Sequence, residues 1–169
     1  MTDKQHSQNR TDNEQKGDNN GDNNDDNNDD NTLDLKELRC LIVDDSRFSR
    51  RMIRDALVHS EIRHIQEATD AVEAIEMLQK HSIDMVIADY EMPYVSGVEF
   101  TRMVRRGAEV PDSTVPIIIV SSHSEEYRIR EALATGIHEY VVKPFSPQKL
   151  VRHIVQALEG LPSELKAAC

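Results

Sequence analysis

Short apolar runs alternate along the chain with longer segments in which apolar residues recur every three or four positions. A short run is typical of a buried strand, whereas the longer period is typical of an amphipathic helix packed on a sheet. The pattern predicts five strands, and the second of them has the weakest apolar run. The predicted strands are 40–43, 62–65, 85–88, 117–120 and 140–142.

A helical segment follows each of these strands, and the apolar positions of each segment fall on one face. The predicted helices are 47–59, 70–80, 98–105, 125–134 and 147–159. Ser124 is the expected N-cap of the fourth helix, while Ser146 and Pro147 begin the fifth and Gly160 ends it. The repeated order predicts an α/β fold of the (βα)5 type, a doubly wound parallel five-stranded sheet with helices on both faces.

Acidic residues stand where two of the predicted strands end. Asp44 and Asp45 follow the first strand, and Asp89 follows the third. Ligands of doubly wound sheets bind beyond the carboxyl ends of the strands, at the topological switch point. If the first and third strands are neighbours, these carboxylates meet there, and their repulsion favours a bound cation. Hard oxygen ligands suit Mg²⁺.

The remaining strand ends carry hydrogen-bond donors. Ser121 follows the fourth strand and Lys143 follows the fifth. A hydroxyl and an ammonium directed at the same pocket would stabilise the oxygens of a transferring phosphoryl group. Together with a carboxylate nucleophile and a divalent metal, they form a complete set of groups for phosphoryl transfer.

Four segments of the chain resemble the signatures of bacterial response-regulator receiver domains, of the CheY-like single-domain type. They are Leu41–Ser46, Val86–Pro93 with Gly97, Ile118–Ser122, and Tyr140–Phe145. Each segment lies at the end of a predicted strand, and the four occur in the family's order. The resemblance extends over residues 36–160 and implies a flavodoxin-like fold with strand order 2-1-3-4-5.

The resemblance also implies a phosphoacceptor and a metal site. Asp89 would accept a phosphoryl group from a histidine kinase or a histidine phosphotransfer protein, with self-catalysed transfer and hydrolysis. Asp45 would bind Mg²⁺ directly and Asp44 mainly through water. Asp89 and the backbone carbonyl of Glu91 would complete the protein ligands of the metal.

Three further roles follow from the same resemblance. Lys143 would pair with Asp89 and then with the phosphoryl group, and Ser121 would turn inward to hydrogen-bond a phosphoryl oxygen. Tyr140 matches the switch aromatic of the family, which moves inward with that hydroxyl.

Glu91 and His123 flank the expected path of the hydrolytic water, so we expect them to affect the lifetime of the phosphorylated state.

Composition separates the N-terminal segment from the rest. Residues 1–34 contain nine Asn and ten Asp or Glu but only three Lys or Arg, so we expect a disordered tail. Calcium binding there is disfavoured: an EF-hand loop starting at Asp12 has Gly17 in place but Asn23 where a Glu is required. The tail carries −7 of the net charge of −11. The rest is mildly acidic and lacks Trp, which disfavours nucleic-acid binding.

Other features of the chain indicate a cytoplasmic protein. Cys40 and Cys169 do not suggest a disulfide framework, and neither a signal peptide nor a membrane-spanning run is evident. Residues 161–169 form a short C-terminal tail, too short for an output domain. We therefore expect a stand-alone regulator that signals by protein contact.

The resemblance places that contact on the fourth helix, fifth strand and fifth helix. Arg128, Tyr140, Lys149 and His153 are the expected members of the face. Two alternatives are a phosphorelay intermediate that passes phosphate onward to a histidine, and a pseudo-receiver that binds partners without phosphorylation. A flavodoxin-like cofactor protein is disfavoured because no Gly-rich loop follows the first strand.

Overall fold

The computed structural model describes residues 34–160, in which five strands alternate with five helices. The elements are β1 (Arg39–Val43), α1 (Arg47–His59), β2 (His64–Ala68), α2 (Ala71–Lys80), β3 (Met85–Asp89), α3 (Gly97–Arg106), β4 (Ile117–Ser121), α4 (Glu126–Ala134), β5 (Glu139–Val142) and α5 (Pro147–Glu159). This order confirms the predicted (βα)5 arrangement.

All five strands run parallel in one sheet of order β2-β1-β3-β4-β5. The predicted flavodoxin-like fold and strand order are therefore confirmed. Val43, the last residue of β1, pairs with Ala88 of β3. The residues that follow these two positions, Asp44 and Asp89, consequently meet at the carboxyl edge of the sheet.

The second strand begins two residues later and ends three residues later than the sequence predicts. Ile62 is buried, but its N–H donates to the Leu57 carbonyl at 3.1 Å, which makes it part of the turn after α1. β2 is an edge strand, and its only buried residue is Ala68. Because an edge strand buries less surface, its polar residues hide it from a search for apolar runs.

The helix ends follow from local capping. Ser46 caps α1 by accepting a hydrogen bond from the Ser49 N–H, and Ser146 caps α5 in the same way, with Pro147 as the first helical residue. The expectation for the fourth helix was wrong. Its N-cap is Glu125 rather than Ser124, and no side chain caps it.

The sheet separates two apolar layers. One layer lies between the sheet and α2, α3 and α4, and the other lies between the sheet and α1 and α5. Successive strand residues alternate between the layers: Leu41 and Val43 face the first, while Cys40 and Ile42 face the second. Since helices cover both faces of the sheet, the polar residues that belong to the sheet collect at its carboxyl edge.

The start of α3 is packed directly against the end of β3. The N–H of Gly97 donates to the Tyr90 carbonyl at 3.0 Å. A Cβ on Gly97 would overlap the backbone carbonyl oxygen of Asp89. Only glycine therefore permits this close packing of α3 against the end of β3.

Several expectations concern residues outside 34–160. They are the predicted disorder of residues 1–33, the calcium alternative, and the predictions for the segment 161–169 and for Cys169. Within the described range, none of the helices combines the length and apolar character of a bilayer span.

Candidate functional site

The ammonium of Lys143 joins two carboxylates at the carboxyl edge of the sheet. Its Nζ lies 2.6 Å from Oδ1 of Asp89 and 3.1 Å from Oδ2 of Asp44. It also donates to Oγ of Ser49 at 2.7 Å. Residues that follow β1, end β3 and follow β5 are thus connected through one cation.

Both carboxylates are buried, with exposed fractions of 1% for Asp44 and 8% for Asp89. Burial raises the pKa of Asp89, and the charge of Asp44 raises it further, against the lowering effect of Lys143. Burial lowers the pKa of Lys143, but the hydrogen bond and charge of Asp89, aided by Asp44, raise it above its usual value. One ammonium shared by two carboxylates leaves an excess of negative charge.

Backbone groups fix the orientation of each carboxylate. Oδ1 of Asp44 accepts the N–H of Ser46 at 2.8 Å, and Oδ2 of Asp89 accepts the N–H of Glu91 at 2.7 Å. The guanidinium of Arg50 donates to the Asp44 carbonyl at 2.7 Å. Both acidic side chains are therefore held in place by the loops that follow their own strands.

Asp45 is exposed next to this cluster and accepts a bond from Arg50 through its backbone carbonyl at 3.3 Å. Within residues 34–160, no group of three or more His, Cys, Asp or Glu side chains is arranged to hold a metal ion. The donor chemistry nevertheless fits Mg²⁺, because buried carboxylate oxygens with excess negative charge are the ligands a hard cation prefers. The predicted metal ligands remain a prediction.

Ser121 and Tyr140 approach the same short segment rather than Asp89. Oγ of Ser121, which is buried, accepts the N–H of His123 at 3.0 Å. The Tyr140 hydroxyl donates to the His123 carbonyl at 3.0 Å. Burial raises the pKa of the Tyr140 phenol, so it stays protonated and able to donate at neutral pH.

Three residues near the site were not identified from the sequence. Ser49 is a small polar residue on the buried face of α1, a signal that could have been noticed. Tyr90 packs edge-to-face on Tyr140, with ring centroids 6.3 Å apart. The Arg128 guanidinium lies over the Tyr90 ring, 5.4 Å from its centroid. Sequence reasoning placed Arg128 only on an outward contact face.

Fold and site together define an α/β protein with a lysine-bound acidic pair at the switch point of its sheet. The family model of the response regulator receiver domain matches residues 40–155. The chain belongs to this family, and its receiver domain is of the CheY-like type. The fold and the sequence resemblance agree on this assignment.

Curated relatives include chemotaxis proteins. The chain is 30% identical to chemotaxis protein CheY-3 of Vibrio cholerae over 126 residues, which is 75% of this chain and 95% of that protein. It is 34% identical to a chemotaxis protein CheY homolog of Campylobacter jejuni over 122 residues, or 72% of this chain and 92% of that protein.

Solved structures give the same fold. Chemotaxis protein CheY4 of Vibrio cholerae matches with a TM-score of 0.64 and 29% identity, covering 71% of this chain and 98% of that chain. A probable two-component system response regulator/GGDEF domain protein matches with a TM-score of 0.67 and 29% identity, covering 74% of this chain and 50% of that one.

Proposed function

We propose that this protein is a stand-alone response regulator whose acceptor, Asp89, takes a phosphoryl group from a histidine kinase or a histidine phosphotransfer protein. The observation that carries the proposal is the position of Lys143, 2.6 Å from Asp89 and 3.1 Å from Asp44 at the switch point. The curated chemotaxis relatives are matched over 95% and 92% of their own length, which supports the proposal that the receiver domain itself is the signalling unit. We assign residues 36–160 to the receiver domain and the protein to the cytoplasm.

In the proposed transfer, an Asp89 oxygen attacks the phosphorus of a phosphohistidine. The O–P bond forms as the P–N bond breaks, and the imidazole nitrogen keeps the electron pair. Lys143 then pairs with the phosphoryl oxygens, and Ser121 leaves the His123 N–H to donate its hydroxyl to one of them. The Tyr140 side chain moves with Ser121, because its hydroxyl is hydrogen-bonded to the carbonyl of His123, the residue whose N–H Ser121 releases.

Metal binding belongs to the same proposal. Asp45, Asp44, Asp89 and the Glu91 carbonyl would hold Mg²⁺. The bound metal would neutralise charge on the phosphoryl oxygens during transfer. The raised pKa of Asp89, caused by its burial and by Asp44, supports this assignment because a nearby cation offsets both effects.

The direct test uses acetyl phosphate and Mg²⁺ with intact-protein mass spectrometry. We expect wild type to gain the mass of one phosphoryl group and Asp89→Ala to gain none. Asp55→Ala is a matched control, because Asp55 is an exposed carboxylate on α1 that pairs with Arg51. Absence of labelling in wild type under every metal condition would favour the pseudo-receiver alternative.

The output would pass through the face formed by α4, β5 and α5. Lys149 is exposed there, and His153 binds Glu139 of β5 at 2.9 Å. A terminal regulator and a relay intermediate differ in the fate of the phosphoryl group. Incubation of the labelled protein with a histidine phosphotransfer protein distinguishes them, since only an intermediate transfers its label onward.

Glu91 and His123 are expected to set the lifetime of the phosphorylated state. Nε2 of His123 lies 2.8 Å from Oε1 of Glu91, so the two side chains meet beside Asp89. We expect Glu91→Ala and His123→Ala each to change the rate of phosphate release by about threefold, a difference of about 0.7 kcal/mol in activation free energy.

Release of inorganic phosphate from the labelled proteins measures this lifetime. Glu126→Ala is the control, because Glu126 stands at the start of α4 but pairs with Arg130 instead of the loop after Asp89. Unchanged release rates in both test variants would contradict the assignment.

A further inference from the structure

The backbone of His123 is the point at which the two expected switch side chains meet. Its N–H is bound by Ser121 and its carbonyl by Tyr140, each at 3.0 Å. For Ser121 to turn toward a phosphoryl group, it must give up this N–H. Whatever holds His123 in place therefore opposes the movement of both switch residues.

The side chain of His123 is tied to the loop that follows the acceptor. Its Nε2 contacts Oε1 of Glu91 at 2.8 Å, and its Nδ1 lies 3.4 Å from Oε2 of Glu125. The N–H of Glu91 binds Oδ2 of Asp89 at 2.7 Å. Glu91 thus connects the acceptor carboxylate with the segment that holds Ser121 and Tyr140.

Arg128 of α4 holds both residues that follow Asp89. Its Nη1 lies 3.4 Å from Oε1 of Glu91, the oxygen that His123 also contacts. Its guanidinium lies 5.4 Å from the Tyr90 ring centroid and 5.7 Å from that of Tyr127. With only 24% of its side chain exposed, Arg128 is directed at the acceptor loop rather than at solvent.

The Tyr90 ring completes the connection. It contacts the rings of His123 and Tyr140 edge-to-face, with centroids 6.3 Å apart in each case. Its hydroxyl lies 3.3 Å from Oε2 of Glu131, the next turn of α4 after Arg128. One helix therefore binds the acceptor loop at two points.

We propose that Arg128 is a positioning residue that stabilises the unphosphorylated arrangement by tying α4 to Glu91 and Tyr90. The proposal rests on the proposed function of Asp89. A contact made in one of two arrangements stabilises that one alone, so its loss shifts the population toward the other. Loss of Arg128 therefore frees His123 and lets Ser121 reach a phosphoryl group more often.

The test compares Arg128→Met, Arg128→Lys and Arg130→Met in the full chain. Arg130 is the matched control, because it lies on the same helix but pairs with Glu126. With acetyl phosphate at fixed Mg²⁺, we expect Arg128→Met to be labelled about three- to fivefold faster than wild type, as the loss of one partly exposed ion pair and cation–π contact implies. We expect the labelling rate of Arg128→Lys to lie between those of wild type and Arg128→Met, and the rate of Arg130→Met to equal that of wild type.

A second readout needs no phosphodonor. The His123 amide donates a hydrogen bond to Oγ of Ser121, so we expect its hydrogen exchange in the unphosphorylated protein to be faster in Arg128→Met and unchanged in Arg130→Met. If Arg128 acts through Glu91, adding Glu91→Gln to Arg128→Met should increase the labelling rate by less than the product of the single effects. If Arg128→Met fails to fold, Glu91→Gln alone tests the same contact, because it removes the charge with which Arg128 pairs.

The outcomes separate this inference from the function on which it rests. A wild type that is not labelled overturns both. A labelled wild type with an unchanged or slower Arg128→Met rate overturns the role of Arg128 and leaves Asp89 as the acceptor. Equal His123 exchange in Arg128→Met and Arg130→Met also overturns it.

Discussion

Replacing Gly97 with alanine is expected to lower the free energy of unfolding by about 3 kcal/mol, the upper part of the range for overpacked positions. The added Cβ would overlap the backbone carbonyl of Asp89, and a backbone atom has no rotamer to move away. Relief requires α3 to move from the end of β3, which breaks the hydrogen bond from Gly97 to the Tyr90 carbonyl. Urea unfolding measures the change.

Gly160→Ala is the control for this experiment. Gly160 has an ordinary φ of −69°, and a Cβ there would lie 3.6 Å from the carbonyl oxygens of Gln156 and Ala157, an ordinary contact distance. Its alanine variant should stay within about 1 kcal/mol of wild type. Equal stabilities for the two alanine variants would show that β3 and α3 adapt to each other freely.

Replacing Lys143 with methionine is expected to destabilise the protein by about 2–3 kcal/mol at neutral pH, because it leaves two buried carboxylates without their shared cation. Added Mg²⁺ should recover more stability in this variant than in wild type, since a cation that binds the folded state alone stabilises it by mass action. Lys149→Met, an exposed substitution on α5, should change stability by less than about 0.5 kcal/mol.

The pH dependence of this deficit has a definite sign. Burial and the charge of Asp44 already raise the pKa of Asp89 in the folded protein. Ionisation of Asp89 therefore lowers the free energy of unfolding as the pH rises above the pKa of an ordinary aspartate. Loss of Lys143 raises that pKa further. The deficit of Lys143→Met should be largest at neutral pH and shrink as the pH falls and Asp89 takes up a proton. It should also become smaller, without disappearing, when Asp89→Asn is added, because Asp44 alone then lacks its cation. A deficit that is independent of both pH and Asp89 would locate the effect in packing.

The candidate site was predictable because a parallel sheet converts positions along the chain into positions in space. Asp44, Asp89, Ser121 and Lys143 each follow or end a strand, and all strand ends of one kind share an edge. The apolar runs of the central strands were strong enough to locate those ends. The edge strand β2 was misplaced because its pattern is polar.

The contacts around Arg128 were not predictable in the same way. Periodicity indicates which helical residues face the core, but not where a partly exposed side chain at the end of a sheet points. The partners of Arg128 depend on how α4 is placed beside the loop after β3. That placement is set by packing between segments that are distant along the chain, so the residues around Arg128 do not predict it.

The clustering of aromatic rings around Arg128 has a spectroscopic consequence. The chain has four tyrosines and no tryptophan, and Tyr90, Tyr127 and Tyr140 all lie in or beside the contacts that link α4 to the acceptor loop. Tyr94 is fully exposed on the loop before α3. Three of the four tyrosine rings therefore have surroundings that would change if α4 shifts. The intrinsic tyrosine emission should report that movement in real time without an attached dye.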